Sequence, residues 1–106
     1  MGDVAKRLVG PSQLTAAAAT LYTVPAATTT LIRNLHVVNT GTSPAGFTFS
    51  IGADAAGTRL WNAVPIQPNG YLDWSGLVVV NAAEILQAYA SVASVLTLTI
   101  SGVEAS

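Results

Sequence analysis

His36 is the only histidine in the chain, and there is no cysteine at all. A lone imidazole cannot build a multi-histidine metal centre, and the missing thiols exclude disulfides, thiolate ligands and cysteine nucleophiles. Ser50, His36 and Asp73 are the types a hydroxyl nucleophile needs, yet no Gly-x-Ser-x-Gly elbow accompanies them. Glycoside hydrolysis asks for two carboxyl groups flanking one bond. The five acids, Asp3, Asp54, Asp73, Glu84 and Glu104, are scattered, and Asp54 and Glu84 fall where turns are expected. The segment Gly41-Thr42-Ser43-Pro44-Ala45-Gly46 is a loop without the lysine or following helix of a phosphate cradle. These residues therefore predict neither catalysis, a metal site nor a bound cofactor. The aromatic residues remain. Tyr22, Trp61, Tyr71 and Tyr89 are candidates for an interface, because Trp and Tyr combine large apolar area with a polar tip. Trp61, Tyr71 and Trp74 could alternatively form a sugar-binding face.

The elements that must position these residues read as strands. Thr20–Val24 stops at Pro25, and Thr29–Asn39 stops at a Thr-Gly-Thr-Ser-Pro turn. Phe47–Ile51 alternates cleanly and ends at Gly52-Ala53-Asp54. Thr58–Val64 precedes Pro65 and the turn Pro68-Asn69-Gly70. Tyr71–Trp74 and Leu77–Val80 follow, with a possible bulge at Ser75-Gly76, then Ile85–Ala90 and Leu96–Val103. Seven or eight short strands with turns every 8–12 residues or so predict an all-β domain, a single antiparallel β-sandwich or a jelly-roll-like small barrel.

Alternation nominates a core of Leu21, Leu31, Leu35, Val37, Phe47, Phe49, Ile51, Leu60, Val64, Leu72, Trp74, Val78, Val80, Leu86, Leu96, Leu98 and Ile100. Arg33 breaks this pattern, falling on the face of Leu31, Leu35 and Val37. Either a bulge shifts the register there, or Arg33 sits at an end of the core and pairs with a carboxylate.

Residues 1–18 read differently. Lys6-Arg7-Leu8-Val9 is followed by Gly10-Pro11 and an alanine run. Gly-Pro punctuates regular structure, so 1–18 is expected to be an extended arm, with room for a short strand, and 19–106 the sandwich domain. The arm residues Lys6, Arg7, Leu8 and Val9 are candidates for contacting a partner. No apolar stretch follows the first charges, so no signal peptide is expected. Ile85–Val103 is uncharged over a length near that of a membrane helix, but its period of two belongs to a strand.

Charge is the strongest compositional signal. Nine residues are charged, 8% of the chain, against roughly a quarter in ordinary soluble domains. The four basic residues are dispersed and the formal net charge is −1. Neither a nucleic-acid footprint nor an anionic-membrane cluster is present. A surface this poor in charge suits a chain whose faces are covered in an assembly.

The segments Thr20-Leu21-Tyr22-Thr23-Val24-Pro25-Ala26, Thr30–Thr40 and Leu96–Glu104 resemble small β-sandwich virion proteins of tailed bacteriophages. Such proteins often open with a Leu-Tyr-Thr-Val-Pro segment and an Ile-x-x-Val-x-Asn-Thr strand; here Leu35 stands in the Ile place, ahead of Val38 or the adjacent Val37. The resemblance spans about residues 19–104 and brings no catalytic residues. It implies a structural protein of the virion, most readily a capsid decoration (cement) protein made in the bacterial host cytoplasm and carried on the capsid surface. Its partners would be the major capsid protein and sister copies, a trimer suiting a three-fold site. A head–tail, tail or fibre-base protein is the alternative within the group, and a carbohydrate-binding module the alternative outside it.

Overall fold

The computed structural model describes residues 2–106. Eight strands form two four-stranded antiparallel sheets: β1 (Asp3–Gln13), β2 (Ala19–Thr23), β3 (Thr29–Asn39), β4 (Ala45–Ile51), β5 (Arg59–Ile66), β6 (Tyr71–Val80), β7 (Ile85–Ala90) and β8 (Leu96–Ala105). A single 3₁₀ turn, Ala56–Thr58, precedes β5. One sheet has the order β1-β8-β3-β6 and the other β2-β7-β4-β5. Strand pairs β1/β8, β2/β7, β3/β6 and β4/β5 thus alternate between the sheets. The chain is one long antiparallel hairpin, with its tip between β4 and β5, rolled up on itself. That wiring is a jelly roll, built as a β-sandwich and not as a closed barrel. Four edges remain: β1, β6, β2 and β5.

The core follows the alternation where strands are regular. Leu35, Val37, Phe47, Phe49, Val80, Leu86, Leu96, Leu98 and Ile100 are fully buried. Two nominees lie outside the core: Leu60, 46% exposed on edge strand β5, and Leu31, which alternates with the buried Thr30 and Ile32 and so faces outward from β3. Arg33 is resolved by a bulge. Ile32 pairs with Gly102 and Asn34 with Ser101, which leaves Arg33 as the extra residue relative to β8. Burial shifts accordingly to Ile32 before the bulge and Leu35 after it, and Arg33 points to solvent. A second bulge sets Gly76 and Leu77 of β6 opposite Arg33 alone. The two segments read on either side of Ser75-Gly76 are therefore one strand.

The chain before residue 19 is not a free arm. Residues 3–13 pair with β8 from Asp3↔Ala105 to Gln13↔Thr97. Leu8 and Val9, expected on a partner-seeking arm, are buried in the core, as is Leu14. Register shifts between Arg7 and Val9, and again between Val9 and Ser12, break the alternation. That irregularity is how two consecutive residues, Leu8 and Val9, both reach the interior. Pro11 is tolerated because β1 is an edge strand with one side of its backbone free. Gly10 has φ +77°, and a Cβ there would collide with the Leu98 carbonyl. Pro65 likewise does not end β5, which continues to Ile66 on the other sheet's edge.

Residues 85–103, uncharged and apolar, are β7, a short turn and most of β8. Among the described residues no helix is long and apolar enough to cross a membrane.

Candidate functional site

The outer face of the β1-β8-β3-β6 sheet carries the only histidine. His36 on β3 lies opposite Asp73 on β6, and its Nδ1 is 3.3 Å from the Asp73 carboxylate. Asn34, also on β3, donates from its amide to the same carboxylate at 3.3 Å and to the Trp74 carbonyl at 3.1 Å. Tyr71, two residues before Asp73, stacks on the imidazole at 5.4 Å between ring centroids with 27° between planes. Tyr71 is 68% exposed. The cluster is an aromatic platform with an amide, an imidazole and a carboxylate at its rim, lying on the outer face of the sheet. The described residues enclose no pocket and bring together no group of three metal-ligating side chains.

Ser50 does not join it. Ser50 is buried on β4, in the other sheet, and its hydroxyl donates to Asp54 at 3.0 Å. The three residues that could be drawn as a triad are thus split between two sheets.

Asp54 anchors a second polar cluster on the β4–β5 connection. Arg59 Nε and Nη2 donate to its two oxygens at 2.9 and 3.0 Å. The guanidinium also reaches Asn62 at 2.8 Å and the Tyr89 hydroxyl at 3.3 Å, and it lies 5.9 Å from the Tyr89 ring centroid. The Arg59 hydrogen bonds hold the Asp54 carboxyl below its usual range, against the opposing cost of desolvation. Gln87 completes the network, accepting from the Asp54 backbone N–H and donating to Thr20. Every charged and amide group here has a partner inside the molecule. The arrangement pins the 52–58 loop across β4 and β7.

The remaining aromatic nominees are consumed internally. Trp61 on β5 and Trp74 on β6 meet edge-on at 5.8 Å, and Trp61 also packs on Phe47 and Phe49. These indoles seal the side of the sandwich where β5 and β6 approach, which removes them from a sugar-binding face. Tyr22 closes the opposite side. Its hydroxyl bonds Thr30 at 2.9 Å and also donates to Glu104, so it ties β2 of one sheet to β3 and β8 of the other. Burial, followed by the Glu104 hydrogen bond, raises the Tyr22 phenol above its ordinary value. Lys6 pairs with Glu104 at 3.4 Å and so contacts β8 of its own domain, while Arg7 is exposed on β1. Tyr89 serves the Arg59 cluster. Of the four interface nominees only Tyr71 is exposed; Tyr22, Trp61 and Tyr89 are half-buried.

Two structural residues escaped the sequence. Asn39 is fully buried at the end of β3. Its amide donates to the Ser43 and Ile66 carbonyls at 2.9 and 2.8 Å, and its Oδ1 accepts from Gly41 at 2.8 Å. Thr48 is buried on β4 and accepts from the Ala63 backbone at 3.0 Å, where β5 bulges with φ +49°. The Asn-Thr-Gly signal marked a turn but not that the asparagine side chain organises it.

Comparison with known protein families, curated proteins and solved structures finds no match to this chain.

Proposed function

We propose that the protein is a structural component of a bacteriophage virion, a decoration protein that binds the outside of the head in many copies and stiffens the shell. The observation that carries this reading is the jelly-roll wiring joined to a surface almost devoid of charge. Jelly rolls recur in capsid and lectin domains, although a fold by itself does not fix a role. A decoration protein must be stiff and must offer contact area without costly desolvation. Here the polar groups at the sandwich ends are tied into internal networks, and the outer strands present Thr, Ser and small apolar side chains, which shed water more cheaply than charges do. The phage-like strands named above support the same role. With Leu8 and Val9 in the core, the capsid-facing surface is assigned to sheet faces and edges and no longer to an arm.

Quantitative mass spectrometry and cryo-electron microscopy of virions made from the encoding genome test this. Hundreds of copies on the head are the expected result. A dozen or fewer would move the role to the neck or tail, and absence from the particle would overturn it.

A second reading rests on the Tyr71–His36 platform with Asp73 and Asn34 at its rim. An exposed aromatic face beside amide and carboxylate groups is chemically suited to stacking and hydrogen bonding a sugar ring. Glycan-array binding lost in Tyr71→Ala, with folding intact, would favour it.

A further inference from the structure

Asn69-Gly70 is the one Asn-Gly pair among the chain's five asparagines. A backbone nitrogen can attack the carboxamide of the asparagine before it, and glycine, lacking a side chain, leaves that approach least hindered. Asn62 and Asn81 precede alanine, Asn34 leucine and Asn39 threonine. The side chains of Asn34, Asn39 and Asn62 are also held, by Trp74, Ile66 and Arg59. Asn69 is exposed in the β5–β6 turn. Its φ is +61°, and the Gly70 N–H donates to the Gln67 carbonyl at 2.8 Å. With Pro68 ahead of it, this is a type II turn, whose third position favours Gly or Asn.

We propose that Asn69 is a site of spontaneous deamidation, and that the reaction unfastens this turn from the end of β3. The Gly70 nitrogen bonds to the Asn69 side-chain Cγ, and its proton passes to solvent. The Cγ–Nδ2 bond breaks, and ammonia leaves with a proton taken from solvent. Water then opens the resulting cyclic imide at one of its two carbonyls. Opening at Cγ gives aspartate. Opening at the main-chain carbonyl gives isoaspartate, in which the chain runs through the former side chain. In sum, a carboxamide and water become a carboxylate and ammonium, with no other reactant.

The same turn sets the rate and takes the consequence. The attacking nitrogen carries the N–H that the Gln67 carbonyl holds, so the closed turn is the protected form and its opening admits the reaction. Asn39 clasps the site from β3. Its N–H donates to the Gly70 carbonyl, and its carbonyl accepts from the Asn69 N–H, both at 2.9 Å. Isoaspartate inserts one carbon into the backbone between those two bonds, so the pair no longer matches Asn39. The new carboxylate also arrives where charge is absent. Residues 14–18, 40–44, 67–70 and 91–95, the loops at this end of the sandwich, carry no ionisable side chain. The chemistry is the chain's own and stands whether or not the protein belongs to a virion.

Peptide mapping of the full chain, aged in mildly alkaline buffer, tests it. The expected result is exchange of –NH₂ for –OH at Asn69 alone, split between aspartate and isoaspartate, with one added negative charge on isoelectric focusing. Asn69→Gly, which suits the same positive φ, should gain no charge under the same treatment. Pro68→Gly frees the turn and should convert several-fold faster, as should the unaltered chain in sub-denaturing urea. Amide exchange reads the consequence. The Asn39 and Asn69 N–H groups should lose protection in the isoaspartyl form and keep it in Asn69→Asp, which has the charge without the extra carbon. An Asn69 that stays intact, faster conversion at Asn62 or Asn81, a rate indifferent to both Pro68→Gly and urea, or unchanged Asn39 protection in the isoaspartyl form would each overturn the proposal.

Discussion

Leu8 and Asn39 show how single residues hold this sandwich. Leu8 lies in the core beside Val9, and trimming a buried leucine to alanine costs about 2–5 kcal/mol. Leu8→Ala should therefore lower the unfolding free energy measured by chemical denaturation by an amount in that range, whereas a residue on a free arm would leave it unchanged. Asn39→Leu removes the partners of the Ser43 and Ile66 carbonyls and of the Gly41 N–H. Only the Ile66 bond is buried, and a buried polar group left without a partner costs about 1–3 kcal/mol, so chemical denaturation should show a loss of that order. Asp54 gives a pH signature. Its folded-state carboxyl titrates below the ordinary value of 3.8, chiefly through the Arg59 hydrogen bonds. A depressed acid contributes stability that is complete above its unfolded pKa and fades as pH falls through the folded one. Melting temperature should then decline below about pH 4 in the native protein, and this acid limb should be shallower in Asp54→Asn.

At the scale of elements, β1 decides whether the N-terminal segment is an accessory or a part of the domain. It covers one side of β8 along most of its length and delivers Leu8 and Val9 to the interior. Removing residues 1–13 uncovers the edge of β8 and leaves the space of two core side chains empty. The truncated chain should lose cooperative unfolding and dispersed amide NMR signals; a chain that stays folded without β1 would restore the arm description. Strand β6 differs, since its outer edge is unpaired and carries the exposed Leu77 and Val79. Bulges explain why such elements are hard to read. The bounds of β3 and β7 were legible to the residue at Thr29–Asn39 and Ile85–Ala90, because turn residues flank both, although the bulge at Arg33 changes which face of β3 is buried. β1 was not, because two register shifts erase its period and Gly10-Pro11 reads as a stop. A local pattern cannot register that a proline on an edge strand has no ladder bond to lose.

Across the whole molecule the chain order sets both shape and kinetics. β1 pairs with β8, so Asp3 and Ala105 are neighbours. Contacts this distant in sequence make closure slow, and stopped-flow refolding should give relaxations of milliseconds to seconds, as non-local β folds do. The same scale governs the proposed role. A rigid jelly roll poor in charge meets the requirements of a decoration protein, and virion copy number is the quantity that tests it.

Composition and alternation were enough to determine an all-β chain, most of its core, the absence of thiol chemistry and a surface poor in charge. These are local properties, written in residue types at a period of two. The tertiary structure alone decided which strands neighbour each other, that β1 belongs to the sandwich, that Trp61, Trp74 and Tyr22 are spent sealing its sides, and that Tyr71 and the β6 edge stay open. Those facts depend on pairing between distant segments and on bulges that change which face a residue occupies. A one-residue shift inverts every side chain beyond it, and no local sequence signal records the partner strand that fixes it.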